Sequence, residues 1–446
     1  MAVSIDSETP KPLHLSRTQQ NAPGQPTRWI NHRLGGWLPR DHDVLRRWLD
    51  KKIAHVEHPS RINEPLHIVI QDFKRFIESD PIIYMGFHQM FQQVPHKPPY
   101  NHDPTGKPQA YAVRDYHLML RLFNHIITTA PSYEDNDLVG FPINAILDWP
   151  MGTHAGFAMF SDPRVNDMFH RMFYVWSTFL VSPESCSVLT TADDGWFGPE
   201  AMKKMPNFVE TFVCDPAAPH YGFKSWDDFF TRQFRAGVRP VQFPDDDSIV
   251  NNACESTRYR LAHGVKETDR FWLKGEPYSL AYMLAGAAAA APFVGGTVYQ
   301  AFLSATSYHC WHSPVNGTVV RTAVVPGTYY AESPVTGFPA PDPAGPNNSQ
   351  GFITSTAARA MIFVEADNPA IGLMCFLAVG MAEVSTCEVT VREGQKLRKG
   401  DPIGKFHFGG STHCLIFRPE TKITFSDDFP KDENVPLNAA IATVAS

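Results

Sequence analysis

Apolar residues recur every three to four positions through the first half of the chain. Ile68, Ile70, Phe73, Phe76 and Ile77 line one face of a predicted helix. Tyr116, Met119, Leu120, Phe123, Ile126 and Ile127 line a second, and Val165, Met168, Phe169, Met172, Trp176 and Phe179 a third. Ser79-Asp80-Pro81 and Ser161-Asp162-Pro163 each pair a capping carboxylate with a proline suited to a first helical turn. Aromatic and Met stripes at this spacing are core positions before they are cofactor sites. Residues 41–215 therefore read as a helical domain, preceded by a Pro/Ser/Thr/Gln/Asn-rich tail, 1–40, without periodicity and expected to be disordered. Met151 to Phe157, a Gly-containing stretch, reads as a helix connection in preference to a pocket wall.

After Cys214-Asp215-Pro216 the period shortens from helical to alternating. Val319, Val324, Val325, Phe363, Val364, Phe376, Val379, Val389 and Val391 sit in short β-rich runs bounded by Gly or Pro. Glu393-Gly394 and Lys399-Gly400 predict two tight turns at the corners of a small antiparallel layer. The expected fold is α+β, a helical N-terminal domain packed on a β-rich catalytic domain, 216–446. The longest apolar run, Leu280 to Leu303, is broken by Gly286, Pro292, Gly295 and Gly296 and reads as a buried helix followed by a strand, not a membrane span.

Composition adds little that is specific. A net charge of −7 over 446 residues, with no basic stripe, gives no reason to expect a nucleic-acid partner. Seven scattered cysteines without Cys-x-x-Cys spacing, and no apolar segment in residues 1–30, lead us to expect reduced thiols and a cytoplasmic location.

Candidate chemistry lies near the C-terminus. A strand from Ile403 to Phe408 runs into Gly409-Gly410-Ser411-Thr412. The glycines let the backbone take positive φ, and a serine hydroxyl beside the preceding carbonyl can attack it. The peptide becomes an ester, and β-elimination across the serine cuts the chain. The residue left at the new N-terminus becomes a pyruvoyl group, which captures an amine as a Schiff base and draws off electrons as pyridoxal does. The same tetrapeptide also fits an ordinary hairpin turn. Upstream, His309 and His312 stand three apart before Pro314 and an Asn316-Gly317 turn. Imidazoles there suit a base for the serine and an acid for a carbon that loses carbon dioxide. With His407 and His413 they lack acidic or cysteine companions at ligand spacing, and no metal is expected.

Several segments then carry a family resemblance. Lys224-Ser225-Trp226-Asp227-Asp228-Phe229-Phe230-Thr231-Arg232 with Arg235 and Gly237 to Pro240, Lys274-Gly275-Glu276-Pro277-Tyr278-Ser279-Leu280, Tyr308 to Gly317, Pro326-Gly327-Thr328-Tyr329-Tyr330 and Phe408 to Thr412 follow in that order. Together they resemble the motifs of the phosphatidylserine decarboxylase family. Phe73 to Pro81, Thr153 to Phe157 and Ala253-Cys254-Glu255-Ser256 narrow the resemblance to fungal L-tryptophan decarboxylases of that type, those of the psilocybin pathway.

The resemblance implies a pyruvoyl cofactor made from Ser411 after cleavage at Gly410–Ser411, with piece 411–446 remaining bound to piece 1–410. It implies His312 assisting the attack by Ser411, His309 as proton donor in decarboxylation, and a free aromatic amino acid, tryptophan first, as the small-molecule substrate. One departure stands out. The family's Ser-Pro-x-Asp-Gly segment falls at Asn252 to Ser256, so either Glu255 replaces the aspartate that orients the histidine, or the triad shrinks to His312 and Ser411. Three rivals remain: a lipid-acting phosphatidylserine decarboxylase, for which no membrane-binding segment is evident; a non-catalytic relative that binds partners; and a pyridoxal enzyme, whose only suggestive residues, His96-Lys97, sit among prolines.

Overall fold

The structure is a computed structural model that describes residues 42–94, 113–133, 141–269, 277–304, 306–333, 349–383, 386–429 and 433–445. The 1–40 tail, His96-Lys97 and Lys274 to Glu276 lie outside the described residues.

The N-terminal part is built, among the described residues, on the helices α1 (His42–Val56), α2 (Ile68–Ser79), α3 (Pro81–Gln92), α4 (Tyr116–Ile126), α5 (Pro142–Met151), α6 (His154–Ser161) and α7 (Pro163–Leu180), with shorter helices after them. The two cap signals act as the sequence predicts. Asp80 accepts from the Ile82 and Ile83 amides at the start of α3, and Asp162 from the Arg164 amide at the start of α7. Arg164 joins the two capping carboxylates, 2.7 Å from Asp80 and 2.8 Å from Asp162. The Met151–Phe157 stretch is the tight α5–α6 connection, where Thr153 caps α6 through the Gly156 amide. A Cβ on Gly156 would sit 1.9 Å from the Pro150 carbonyl oxygen, so only glycine lets the two helices turn that closely.

Strands begin at Ile249: β1 (Ile249–Asn251), β2 (Ser256–His263), β3 (Thr297–Leu303), β4 (Cys310–His312), β5 (Gly317–Val325), β6 (Arg359–Ala366), β7 (Leu373–Met381), β8 (Thr386–Val389), β9 (Lys396–Leu397), β10 (Pro402–His407), β11 (Gly410–Phe417), β12 (Ile423–Phe425), β13 (Asn434–Val435) and β14 (Ala440–Val444). They form one eight-stranded sheet, in the order β13-β2-β3-β11-β7-β6-β5-β9, and two three-stranded sheets, β4-β10-β8 and β1-β14-β12. The fold is α+β. Among the described residues no helix is long and apolar enough to cross a membrane.

The large sheet is buried on both faces, which is why its central strands read as near-continuous apolar runs. On one face Met361, Phe363, Cys375, Leu377, Val379, Cys414 and Ile416 share a core with the helices. On the other, Ile362, Val364, Met374, Phe376, Leu415 and Phe417 pack with Trp311, Ile403 and Phe406 of the β4-β10-β8 sheet.

Candidate active site

The Gly-Gly-Ser-Thr stretch is not a hairpin. β10 pairs with β4 and β8, whereas β11 pairs with β3 and β7, so the chain steps from one sheet to another between His407 and Gly410. Phe408 and Gly409 make the step at φ +51° and +98°. A Cβ at Gly409 would lie 2.3 Å from the Glu383 carbonyl oxygen. Gly409→Ala therefore combines an unfavourable φ, worth ~1–2 kcal/mol by itself, with a backbone overlap. We expect an uncut chain of lowered melting temperature, read by denaturing gel and thermal melt.

Ser411, the second residue of β11, is fully buried, and its hydroxyl has no hydrogen-bond partner among the described residues. It lies between Leu303 and Gly380 in the register of the sheet. Thr257, Phe302, Thr412 and Val379 stand side by side across four strands, which brings Cys254 to Ser256 to the same end of the sheet as Ser411. Thr412 carries a buried polar chain. Its hydroxyl accepts from Gln300 Nε2 at 3.0 Å, and Gln300 also donates to Gln350 Oε1 at 2.6 Å and accepts from the Tyr278 hydroxyl. This chain accounts for the tyrosine of the Lys-Gly-x-x-Tyr-Ser-Leu segment.

His309 is buried with neither ring nitrogen partnered among the described residues. It stacks on Phe230 at 4.1 Å between ring centres, and Phe230 in turn lies 6.1 Å from Phe408 of the sheet crossing. Burial first, then the charges of Arg232 and His407, push its pKa well below the ordinary value, so the imidazole is neutral. His312 is also held neutral by burial. Its Nδ1 bonds the Gly400 carbonyl at 2.6 Å and its Nε2 the Tyr308 hydroxyl at 2.9 Å. Because a carbonyl only accepts, Nδ1 carries the proton and Nε2 is the basic atom. Neither imidazole is in hydrogen-bond contact with Ser411.

Glu255 does not reach His312. Arg239 holds its carboxylate through two bonds of 2.7 and 2.9 Å, and the Asn434 side chain and Leu437 amide fill the remaining positions at 2.9 and 2.8 Å. A bidentate guanidinium plus two donors satisfies a buried carboxylate fully, leaving nothing for an imidazole. Asn252 and Asn251 bond the carbonyls of Val435 and Asn438 in the same place. The Asn251 to Glu255 segment is thus a socket for residues 434–438. The Gly400 carbonyl orients His312 instead, and a main-chain oxygen leaves no trace in sequence.

Two groups at the crossing have surroundings that the sequence did not indicate. His407 lies between Asp227, 2.9 Å away, and Glu388, 2.7 Å away. Burial lowers its pKa, but the two carboxylates outweigh burial and the net shift is upward. Glu383, whose carbonyl oxygen faces Gly409, turns its carboxyl to the start of α5 and accepts from the Ile143 and Asn144 amides at 2.5 and 2.8 Å. Burial pushes this carboxyl up to about 8 despite the two amides. Only the helix N-terminus it caps signals such a role, and the partners are some 240 residues apart.

A carboxyl that titrates near 8 when folded, against an ordinary 4.5, holds more protons in the folded chain. Its stabilising contribution is complete below pH of about 4.5 and is lost as pH rises towards 8. His407, with its raised pKa, has the same sign. We expect the melting temperature to fall between pH 5 and 8, and Glu383→Gln to flatten that fall. An unchanged fall would assign it to His407.

Comparison with known proteins fits this layout. Residues 67–205 and 226–443 each match a family model described as phosphatidylserine decarboxylase. The chain is 37% identical over 432 residues to an L-tryptophan decarboxylase of Psilocybe cubensis, covering 92% of this chain and 94% of the relative. The chain belongs to the phosphatidylserine decarboxylase family. A second L-tryptophan decarboxylase, from Psilocybe cyanescens, is 38% identical over the same length. Decarboxylase iboD of Amanita muscaria is 45% identical over 320 residues, covering 68% of this chain and 91% of the relative, and its name states no substrate. More distant family members named phosphatidylserine decarboxylase proenzyme match about half of this chain.

Proposed function

We propose that this chain is a self-cleaving, pyruvoyl-dependent decarboxylase of a free aromatic amino acid, L-tryptophan yielding tryptamine and carbon dioxide. The observation that carries the reading is the unpartnered, buried Ser411 hydroxyl directly after a backbone crossing at positive φ. Its residues fit the making of the group. Ser411 Oγ attacks the Gly410 carbonyl and the amide becomes an ester. Loss of the Cα proton expels the Gly410 carboxylate, and the dehydroalanine left behind takes up water and releases ammonia to become pyruvoyl. His312 Nε2 is the proposed base, because its tautomer is fixed by Gly400. It is freed when the Tyr308 hydroxyl turns to Gln233 Oε1, 3.3 Å away.

Once made, the pyruvoyl group supplies a ketone that captures the substrate amine and draws off the electrons released with carbon dioxide. His309 is the proposed proton carrier. Its neutral, desolvated imidazole is poised to gain a proton when the substrate carboxylate arrives beside it, since an opposite charge raises an imidazole pKa. Loss of carbon dioxide removes that charge, lowers the pKa again and drives the proton onto the substrate carbon.

Residues 41–215 act as a helical domain and 216–446 as the catalytic domain, and the proposed location is cytoplasmic. Piece 411–446 is expected to stay bound, because β11 pairs on both edges and the Asn251 to Glu255 socket grips residues 434–438. The choice of tryptophan over phosphatidylserine rests on the relatives that match nearly the full chain. The test sets free amino acids beside phosphatidylserine vesicles in a carbon dioxide assay, with intact mass of the same sample. Tryptophan turnover by a two-piece protein is expected; turnover of the lipid alone would replace this substrate with phosphatidylserine.

A further inference from the structure

The helical domain supplies a polar atom that the chemistry above does not use. α5 is buried along its whole length, yet its third residue is Asn144, and Asp148 follows one turn later. Asn144 is 2% exposed, and its side-chain carbonyl oxygen has no partner among the described residues. An unpartnered acceptor in such a place is costly, and its retention points to a donor that arrives from outside. The main-chain amide of the same residue is tied to Glu383, so the start of α5 is fixed against the residue whose carbonyl faces the Gly409 crossing.

The Asn144 side chain lines a narrow cleft together with Met151, Tyr329, Ile353, Met381 and Ala382. Thr328 and the buried Glu332 also line it; the other walls are apolar or polarisable, which suits an aromatic ring. Met381 is the strand partner of Gly410, the residue severed from 411. The cleft is narrow in the uncut chain, and admitting such a ring requires it to widen once the bond after Gly410 is cut.

We propose that this cleft receives the substrate side chain and that the Asn144 carbonyl accepts the N–H of its ring, selecting an aromatic amino acid with a ring N–H donor over one without. The proposal rests on the reading of the chain as a decarboxylase of free aromatic amino acids. A site built around one buried acceptor discriminates by leaving that acceptor unpaired when the donor is missing.

The experiment uses the full-length, self-processed enzyme and measures kcat/KM for L-tryptophan and for L-3-benzothienylalanine, which replaces the ring N–H by sulfur at nearly constant shape. Wild type is expected to favour tryptophan by about 10–100-fold. Asn144→Leu removes the acceptor and should bring the ratio to within about threefold of one, with the proportion of cut chain on a gel unchanged. Asn144→Asp keeps an acceptor and should retain the preference. If Asn144→Leu is not processed, Asn144→Ser is read for the same ratio. A wild-type ratio near one, or a ratio unmoved by Asn144→Leu, overturns the proposal while leaving the decarboxylase reading intact. Absence of turnover with every free aromatic amino acid overturns both.

Discussion

Ser411→Ala is expected to remain one chain of 446 residues, fully folded and without activity, whereas the natural sequence is expected to separate into pieces of 410 and 36 residues under denaturing conditions. The effect is all-or-none, because no other hydroxyl can generate the ketone at residue 411. The structure also says that this variant should fold at least as well as the parent. The Ser411 hydroxyl is buried and unpartnered, so its removal relieves a desolvation cost of about 1–3 kcal/mol instead of breaking a bond. A melting temperature equal to or above that of an uncut parent, with no cleavage and no carbon dioxide release, is the expected result. Intact mass and calorimetry on the same sample decide it. An active, uncut protein would sink the pyruvoyl reading.

The second large effect separates the two histidines. His312→Ala removes the imidazole whose proton Gly400 holds on Nδ1, and processing should slow by about 10²–10⁴-fold. His309→Ala removes a ring that makes no hydrogen bond among the described residues, so processing should continue. Turnover of the processed His309→Ala protein should fall by about 10²–10⁴-fold, because the substrate carbon loses its proton source. Time-resolved gels measure the first rate and amine release from pre-cut protein the second. The reverse pattern, with His309→Ala uncut and His312→Ala cut normally, would exchange the roles. Glu255→Gln tests the socket. Loss of the Arg239 ion pair should loosen residues 434–437 and lower the melting temperature, with less effect on the cleavage rate than His312→Ala. A Glu255→Gln chain that melts normally yet fails to cut would restore a carboxylate to the triad.

Much of this protein is legible along the chain because the signals involved are local. A helical stripe, an Asp-Pro cap or a strand buried on both faces each follow from short-range geometry, and α2, α3, α4 and α7 fall where that pattern puts them. The chemistry at Ser411 and the histidine pair is equally local, since the residue types and their order suffice to suggest it. Four things were decided only by the tertiary structure. Gly409-Gly410 is a crossing between sheets and not a hairpin, because the partners of β10 and β11 come from strands up to about a hundred residues away and no local rule selects them. Glu255 turns to Arg239 and the C-terminal segment, because a charged, bidentate partner outcompetes a neutral imidazole for a carboxylate. The orienting group on His312 is a main-chain carbonyl, and the unpartnered side-chain acceptor lining the cleft is an asparagine in a buried helix. Every residue offers the same carbonyl, and a lone amide carries no pattern, so their meaning comes only from what the fold brings beside them.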